Sequence, residues 1–132
     1  MTSLVLEWLP GRFGVYRLPV DTPLPRWAGH GAFTTVSRSA DELSVLCAWR
    51  HRTTTLPVIG PLVCCRLVGP LDFSLTGILA RLTAPLASGG VSVFSVATYD
   101  TDYLLVREDE CERAQALLEV VGAAFTAAVA RE

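Results

Sequence analysis

Residues Gly69–Val106, GPLDFSLTGILARLTAPLASGGVSVFSVATYDTDYLLV, decide the fold of this chain. The stretch reads as the end of a strand, a polar loop, a helix, a glycine stop and two short strands. Ser74 is a candidate N-cap, and Gly89 and Gly90 end the helix, as glycines past a helix commonly do. The apolar residues of the helix recur at the spacing of one buried stripe, which consists of Leu75, Ile78, Leu79, Leu82 and Leu86.

Three strands accompany this helix, at Leu62–Val68, Val91–Thr98 and Tyr103–Arg107. A polar turn, Tyr99–Asp102, joins the last two. With a helix at residues 108–121, the second half has the order strand, helix, strand, strand, helix. That order predicts an α+β fold of the ferredoxin-like kind, β-α-β-β-α-β when complete.

The helix at residues 108–121 is predicted from acidic side chains in its first turn, where the helix dipole favours negative charge. Its expected core face consists of Cys111, Ala114, Leu117, Leu118 and Val121. The tail from Gly122 either continues this helix or forms an edge strand.

The first half predicts shorter elements. Leu4–Leu9 and Arg12–Leu18 form a predicted hairpin around Pro10 and Gly11. Further elements are one helical turn within Leu24–Ala28, a strand at Ala32–Ser37, a short helix capped by Ser39 and reaching Leu43, and a strand at Ser44–Trp49.

The two halves resemble each other when the chain is shifted by 61 residues, which places Phe33 on Phe94, Asp41 on Asp102 and Val45 on Val106. The segment RHRTTTLP separates them. We therefore expect a degenerate N-terminal lobe at residues 1–58, with a shortened first helix, and a C-terminal domain at 59–132. Because the second-half strands are apolar on both faces, the face without helices should be buried by the first half or by another chain.

Composition narrows the function. The chain has 132 residues, a net charge of -2 and 51% hydrophobic residues. This charge supplies no general field for nucleic acid or an anionic membrane, so neither partner is expected. The start MTSLVLEWLPG lacks a basic segment, and the longest apolar run, residues 120–130, is shorter than the roughly 20 residues of a spanning helix. A cytoplasmic protein that forms a homo-oligomer is expected.

No catalytic residue, cofactor or metal site is predicted. The four cysteines have no CxxC spacing, and Cys64 and Cys65 are adjacent in a predicted strand, so they point to opposite faces. His30 and His51 stand apart from any ligand at metal spacing. The sequence has no phosphate loop and no spacing typical of a Ser-His-Asp or Cys-His site.

The run LDFSLTGILA followed by ATYDTDYLLV resembles small tandem ACT-domain proteins, in the branch of aspartate kinase regulatory regions and the CASTOR arginine sensors. The resemblance is strongest from Val68 to Leu118 and weaker from Phe33 to Ala48. It implies two side-by-side ferredoxin-like ACT lobes and an amino acid or similar effector bound at an interface. No kinase or other catalytic domain accompanies the matching residues, so any regulated enzyme would be another chain.

The resemblance also implies which residues face the ligand. They lie in the loop from first strand to first helix and in the loop between the next two strands. The first loop contributes Asp72, Ser74, Leu75, Thr76, Gly77 and Ile78, and the second contributes Thr98, Asp100, Thr101 and Asp102.

The chemistry of these residues suits an amino acid. Free N–H groups at a helix start suit a carboxylate, Gly77 permits close approach of the backbone, and Asp102 or Asp72 can accept from an ammonium group. Structural interpretations remain open beside this one. Ser74 can be only an N-cap, the Asp100–Asp102 segment a solvated turn, Gly77 a packing residue and Asp72 a turn residue.

Two functions therefore follow from the sequence. The first is a non-catalytic regulatory sensor that binds a small effector, an amino acid, at a lobe or subunit interface of a homodimer. The second is a structural interaction module that forms an oligomer, or docks on a partner enzyme, without a ligand.

Overall fold

The computed structural model describes residues 4–50, 55–69 and 76–126. Their strands form one eight-stranded sheet. The strands are β1 Val5–Trp8, β2 Phe13–Leu18, β3 Thr35–Arg38, β4 Leu43–Ala48, β5 Val58–Leu67, β6 Phe94–Ala97, β7 Asp102–Arg107 and β8 Ala124–Phe125. The helices are α1 Ile78–Ser88 and α2 Cys111–Val120, with single 3₁₀ turns at Arg26–Gly29 and Glu108–Glu110. This arrangement confirms the α+β, ferredoxin-like class.

Strand β5 is the longest strand and lies at the centre of the sheet. One of its edges pairs with β2 at Val58–Leu62 and with β1 at Cys65–Leu67. Its other edge pairs with β7 at Leu62–Arg66. Strands β4 and β3 extend the sheet beyond β2, β6 extends it beyond β7, and β8 pairs in parallel with β1. We call β2, β3 and β4 the first lobe, and β1 and β5–β8 with both helices the second lobe.

The predicted hairpin of the first two strands is wrong. Strands β1 and β2 do not pair with each other; they follow one another along β5, and both run antiparallel to it. Gly11 has a φ of +84°, and the Leu9 N–H donates to the Cys64 carbonyl at 2.8 Å. The Pro10-Gly11 link therefore kinks the chain without reversing it, because β5 offers ladder partners on both sides of the link.

The short helix expected after Ser39 is also wrong. Residues 39–42 form a turn between β3 and β4, in which the Ser39 N–H donates to the Glu42 carbonyl at 2.9 Å. The Ser39 hydroxyl accepts from the Asp41 N–H at 3.2 Å, so it caps a turn instead of a helix. Leu43 and Val45, both fully buried, alternate along the strand that follows. A period of two favours a strand over a helix.

Helix α1 begins later than expected. Gly77, with a φ of +77°, occupies its N-cap, and Gly89 occupies its C-cap. The predicted cap Ser74 and the first stripe residue Leu75 lie outside the described residues. Ile78, Leu82 and Leu86 are buried as predicted, whereas Leu79 is 37% exposed. The described part of the stripe is therefore narrower than predicted.

The end of the chain resolves an alternative that the sequence left open. Helix α2 buries Cys111, Ala114 and Leu118, whereas Val121 is 44% exposed and was wrongly placed on the core face. The helix stops before Val121, and Ala124–Phe125 forms an edge strand beside β1.

Apolar clusters occupy both faces of the sheet. The helix-covered face includes Leu6, Val63, Leu82, Leu104 and Leu118. The opposite face forms an inter-lobe cluster, with Phe13 and Leu46 from the first lobe packed with Leu62, Cys64 and Leu105 from β5 and β7. The rings of Phe33 and Tyr103 stack across this junction with centroids 3.8 Å apart. The first half thus covers the helix-free face, as expected from strands that are apolar on both faces.

We predict that Leu82→Ala lowers the free energy of unfolding by about 2–5 kcal/mol. The Leu82 side chain, on the core face of α1, is fully buried, and the substitution leaves a cavity. Urea denaturation measures the change. Leu79→Ala is the matched control on the same helix, and its expected cost is below about 1 kcal/mol. Equal costs at the two positions would contradict the placement of the helix.

All four cysteines are buried free thiols. Burial raises the pKa of Cys47 to about 11 and that of Cys65 to about 12, because the desolvated thiolate is disfavoured. The ordinary value is 9.0 in each case. The folded protein therefore keeps protons that the unfolded chain releases.

The raised thiol pKa values predict a fall in stability at high pH. The contribution of the two thiols to the free energy of unfolding is complete below pH 9 and is lost as pH rises through 11 to 12. Between pH 9 and these raised pKa values, the thiols ionise readily only in the unfolded chain. Urea denaturation at pH 8, 9 and 10 measures the slope. The Cys47→Ala, Cys65→Ala double variant should show a shallower slope above pH 9 than the natural chain. An unchanged slope would contradict the assignment.

Candidate functional site

The predicted ligand-facing residues fall in two loops of the second lobe. Thr76, Gly77 and Ile78 precede or begin α1, residues 98–101 connect β6 to β7, and Asp102 begins β7. Asp72, Ser74 and Leu75 lie outside the described residues. The described part of the site therefore consists of the start of α1 and the β6–β7 turn.

Thr101 brings the β6–β7 turn to the end of β5. It is only 4% exposed, and its hydroxyl donates to the Leu67 carbonyl at 2.7 Å. Leu67 is the last residue of β5, directly before the segment that leads into α1. This hydrogen bond holds the β6–β7 turn against the end of β5.

The β6–β7 turn is closed by its two threonines. The Thr98 N–H donates to the Thr101 carbonyl at 2.9 Å, and the Thr98 hydroxyl donates to the same oxygen at 3.0 Å. Both hydroxyls thus have partners within the protein, which makes Thr98 and Thr101 supports of the turn. Asp100 is exposed and Asp102 is half-buried, paired in the ladder with Ala97.

The carboxylates of this turn are available to a ligand. Within residues 4–50, 55–69 and 76–126, neither Asp100 nor Asp102 forms an ion pair or a side-chain hydrogen bond. Four polar side chains of this turn were predicted to face the ligand. Thr98 and Thr101 instead form hydrogen bonds within the protein, and Asp100 and Asp102 remain as acceptors.

The start of α1 supplies backbone donors. Gly77 adopts a left-handed conformation that side chains rarely tolerate, and a Cβ built on it would meet nothing within 4 Å. Its conformation, and not close packing, is therefore what requires glycine. The Gly77 carbonyl accepts from the Arg81 N–H at 3.0 Å, and the N–H groups of the first turn have no partner inside the helix. The side chain of Ile78 is buried in the core, so only its backbone can serve a ligand.

The described residues also form a concavity that the sequence did not predict. It is a groove of about 480 Å³ between the two lobes, with walls from β2, β3, β4, the start of β5, and β6. Arg17 and Glu42 are its charged residues. No single stretch of the sequence marks this groove, because its residues come together only through the register of the strands.

Metal and membrane sites receive no support from the described part of the chain. It holds no group of three or more His, Cys, Asp or Glu side chains arranged to bind a metal ion. None of its helices combines the length and hydropathy that crossing a bilayer requires.

We predict that Thr101→Val lowers the free energy of unfolding by about 1–3 kcal/mol, because it removes the donor to the buried Leu67 carbonyl while keeping the side-chain shape. Thr83→Val is the control, since the Thr83 hydroxyl donates to the Leu79 carbonyl on an exposed helix surface. Chemical denaturation compares the two. Equal losses would show that the Thr101 bond does not anchor the turn.

Comparison with known families agrees with the fold. A family model described as the ACT domain matches residues 61–120, and a second, described as an N-terminal domain, matches residues 11–51. No curated protein matches the chain.

Several solved structures are similar over most of the chain. A protein from Agobacterium tumefaciens is 32% identical, with 100% of this chain and 96% of that chain covered and a TM-score of 0.87. A Vibrio cholerae protein of unknown function, described as a possible transport protein, is 18% identical, with 91% of each chain covered and a TM-score of 0.73.

The ligand-free regulatory subunit of aspartate kinase from Thermus thermophilus is 10% identical. The similarity covers 91% of this chain and 99% of that chain, with a TM-score of 0.64. At these identities, the Vibrio and Thermus structures show the fold alone. Residues 61–120, from β5 to the end of α2, match the ACT-domain model, so the second lobe of this chain belongs to the ACT-domain family.

Proposed function

We propose that this protein is a non-catalytic sensor that binds an amino acid at two loops of the second lobe and regulates a partner enzyme. These two loops, the segment before α1 and the β6–β7 turn, are called the paired loops. The observation that carries the proposal is the hydrogen bond from Thr101 to Leu67, which holds the β6–β7 turn against the end of β5. A regulatory role is the general property of ACT domains, and neighbours named as aspartate kinase regulatory subunits support it.

The charges around the paired loops suit a zwitterion. Asp100 and Asp102 offer carboxylate oxygens to an ammonium group, and the first turn of α1 offers N–H groups to a carboxylate. An amino acid carries both groups one carbon apart. Asp72, Ser74, Leu75 and Thr76 complete the proposed site from the segment before α1.

A homodimer is part of the same proposal. Val120 is 84% exposed, and Val68 and Val121 are also exposed apolar side chains of the second lobe. Exposed apolar surface of this kind favours association. We propose residues 1–58 and 59–132 as the two ACT-like units, and the cytoplasm as the place where the protein acts.

The test is a thermal-shift screen against the twenty amino acids, with Asp102→Ala as the variant. A ligand at a hundred times its Kd should stabilise the fold by about 2.7 kcal/mol, a shift of several degrees. We expect one chemical class of amino acid to raise Tm, and Asp102→Ala to weaken its binding at least about tenfold, since a charge-assisted bond is lost. Asp109→Ala, the same change on the exposed turn before α2, should bind normally.

An absence of any shift would contradict the sensor function, and so would equal binding by the Asp102→Ala variant. Sedimentation of the same samples reports the oligomeric state. A stable oligomer that binds no amino acid would favour the interaction module.

A further inference from the structure

The groove between the lobes is built by cross-strand rows of side chains. The register places Thr35 beside Leu46, Leu46 beside Val15, and Val15 beside Ile59. These four residues therefore form one row across β3, β4, β2 and β5. Since side chains alternate along a strand, residues two positions away form the next row on the same face.

That next row is polar. Ser37 pairs with Ser44 and Ser44 pairs with Arg17. Glu42 stands in the turn just before β4, and its carboxylate accepts from Arg17 at 3.2 Å. The floor of the groove is thus divided into a hydroxyl-rich, charged end and an apolar end.

The opposite wall comes from β6. Phe94, Ser95 and Val96 line this wall, and the apolar row continues into the inter-lobe cluster that contains Phe33 and Tyr103. Val58, Ile59 and Phe94 nevertheless remain exposed, so apolar surface in the groove is left uncovered. A ligand that fills it gains roughly 25 cal/mol per Å² of apolar area buried.

The charged end of the groove still has free donors on Arg17 and a free acceptor on Glu42. A guanidinium group has five N–H donors. The Arg17 side chain donates to Glu42 and, at 3.1 Å, to the Asp41 carbonyl. The Glu42 bond uses one carboxylate oxygen, Oε2. Both side chains are about half exposed, so a ligand can reach them from the solvent.

We propose that this groove is a second binding site, for an α-amino acid with a large apolar side chain. The ligand's carboxylate would bind Arg17, its ammonium group would bind Glu42, and its side chain would lie along the apolar row against Phe94 and Val96. A simple carboxylic acid would meet the Glu42 carboxylate, and a simple amine would meet Arg17. Only a ligand with both charges complements the pair.

The groove site is independent of the proposed site at the paired loops. Its residues lie beside the start of β5, whereas Thr101 bonds to the last residue of that strand. Ile59 and Leu67 are eight residues apart, roughly 26 Å along an extended strand. The volume of about 480 Å³ lies within the range typical of small-molecule sites.

Isothermal titration of the full chain with four probes tests the site. L-Phenylalanine carries both charges and a large apolar group, phenethylamine lacks the carboxylate, 3-phenylpropanoate lacks the ammonium group, and L-alanine lacks the ring. We expect L-phenylalanine to bind and the other three to bind at least about tenfold more weakly, a loss of 1.4 kcal/mol or more each.

Variants on one strand locate the binding. Ser37→Phe places a ring in the groove and should abolish L-phenylalanine binding, whereas Val36→Phe adds the same ring to the opposite face of β3 and should leave it intact. Glu42→Gln should weaken L-phenylalanine binding at least about tenfold while leaving 3-phenylpropanoate unaffected or tighter. Circular dichroism checks that each variant is folded.

Several results would overturn the groove site: no heat with L-phenylalanine up to about 10 mM, equal binding of 3-phenylpropanoate, or full binding by folded Ser37→Phe. Asp102→Ala should bind L-phenylalanine in the groove normally. If that variant alone loses binding, the ligand occupies the paired loops, the groove site is refuted and the proposed function stands. If Ser37→Phe alone loses binding, L-phenylalanine occupies the groove and the groove site stands, while the screen with Asp102→Ala decides the paired-loop site separately.

Discussion

The pairing of β5 along both of its edges is the constraint on which the rest of the structure depends. The strand has ten residues, with the first lobe on one edge and β7 on the other. A strand can donate and accept on both edges only when it lies inside a sheet. Because one strand serves both lobes, the lobes cannot separate without loss of its ladder. Their helix-free faces pack against each other, as the stack of Phe33 on Tyr103 shows.

The same constraint explains the position of the N-terminal strand. Strand β1 occupies the part of the β5 edge that β2 does not reach, and it contributes to the core of the second lobe. The Trp8 indole donates to Gln115 on α2 at 2.8 Å, and its ring stacks on Phe125. Residues far apart in sequence thus complete one lobe. The boundary that the sequence indicated, between residues 58 and 59, falls at the start of the strand that both lobes share.

Local patterns predicted most of the second lobe, and non-local pairing explains the errors. The spacing of Ile78, Leu82 and Leu86 is a property of one helix, so it is visible in the sequence. The hairpin prediction failed because the partner of β1 lies about sixty residues away, at Cys65–Leu67. The two ligand-facing loops that the resemblance implied stay a prediction. The hydrogen bond from Thr101 to Leu67, and the rows of the groove, depend on register between strands that no local pattern encodes.

Strand β6 connects the two proposed binding sites. Phe94, Ser95 and Val96 line the groove, and the turn closed by Thr98 and Thr101 follows directly. A ligand in the groove would contact β6 on the side that faces the first lobe. A ligand at the paired loops would contact the turn that follows β6. Each would influence the other only if β6 has two arrangements that the ligands bind with different affinity. By linkage any such coupling is reciprocal. If a ligand in the groove raises the affinity of the paired loops by some factor, a ligand at the paired loops raises the affinity of the groove by the same factor. If the two sites are independent, filling one site leaves the affinity of the other site unchanged. A ligand in the groove would then affect only the packing between the two lobes.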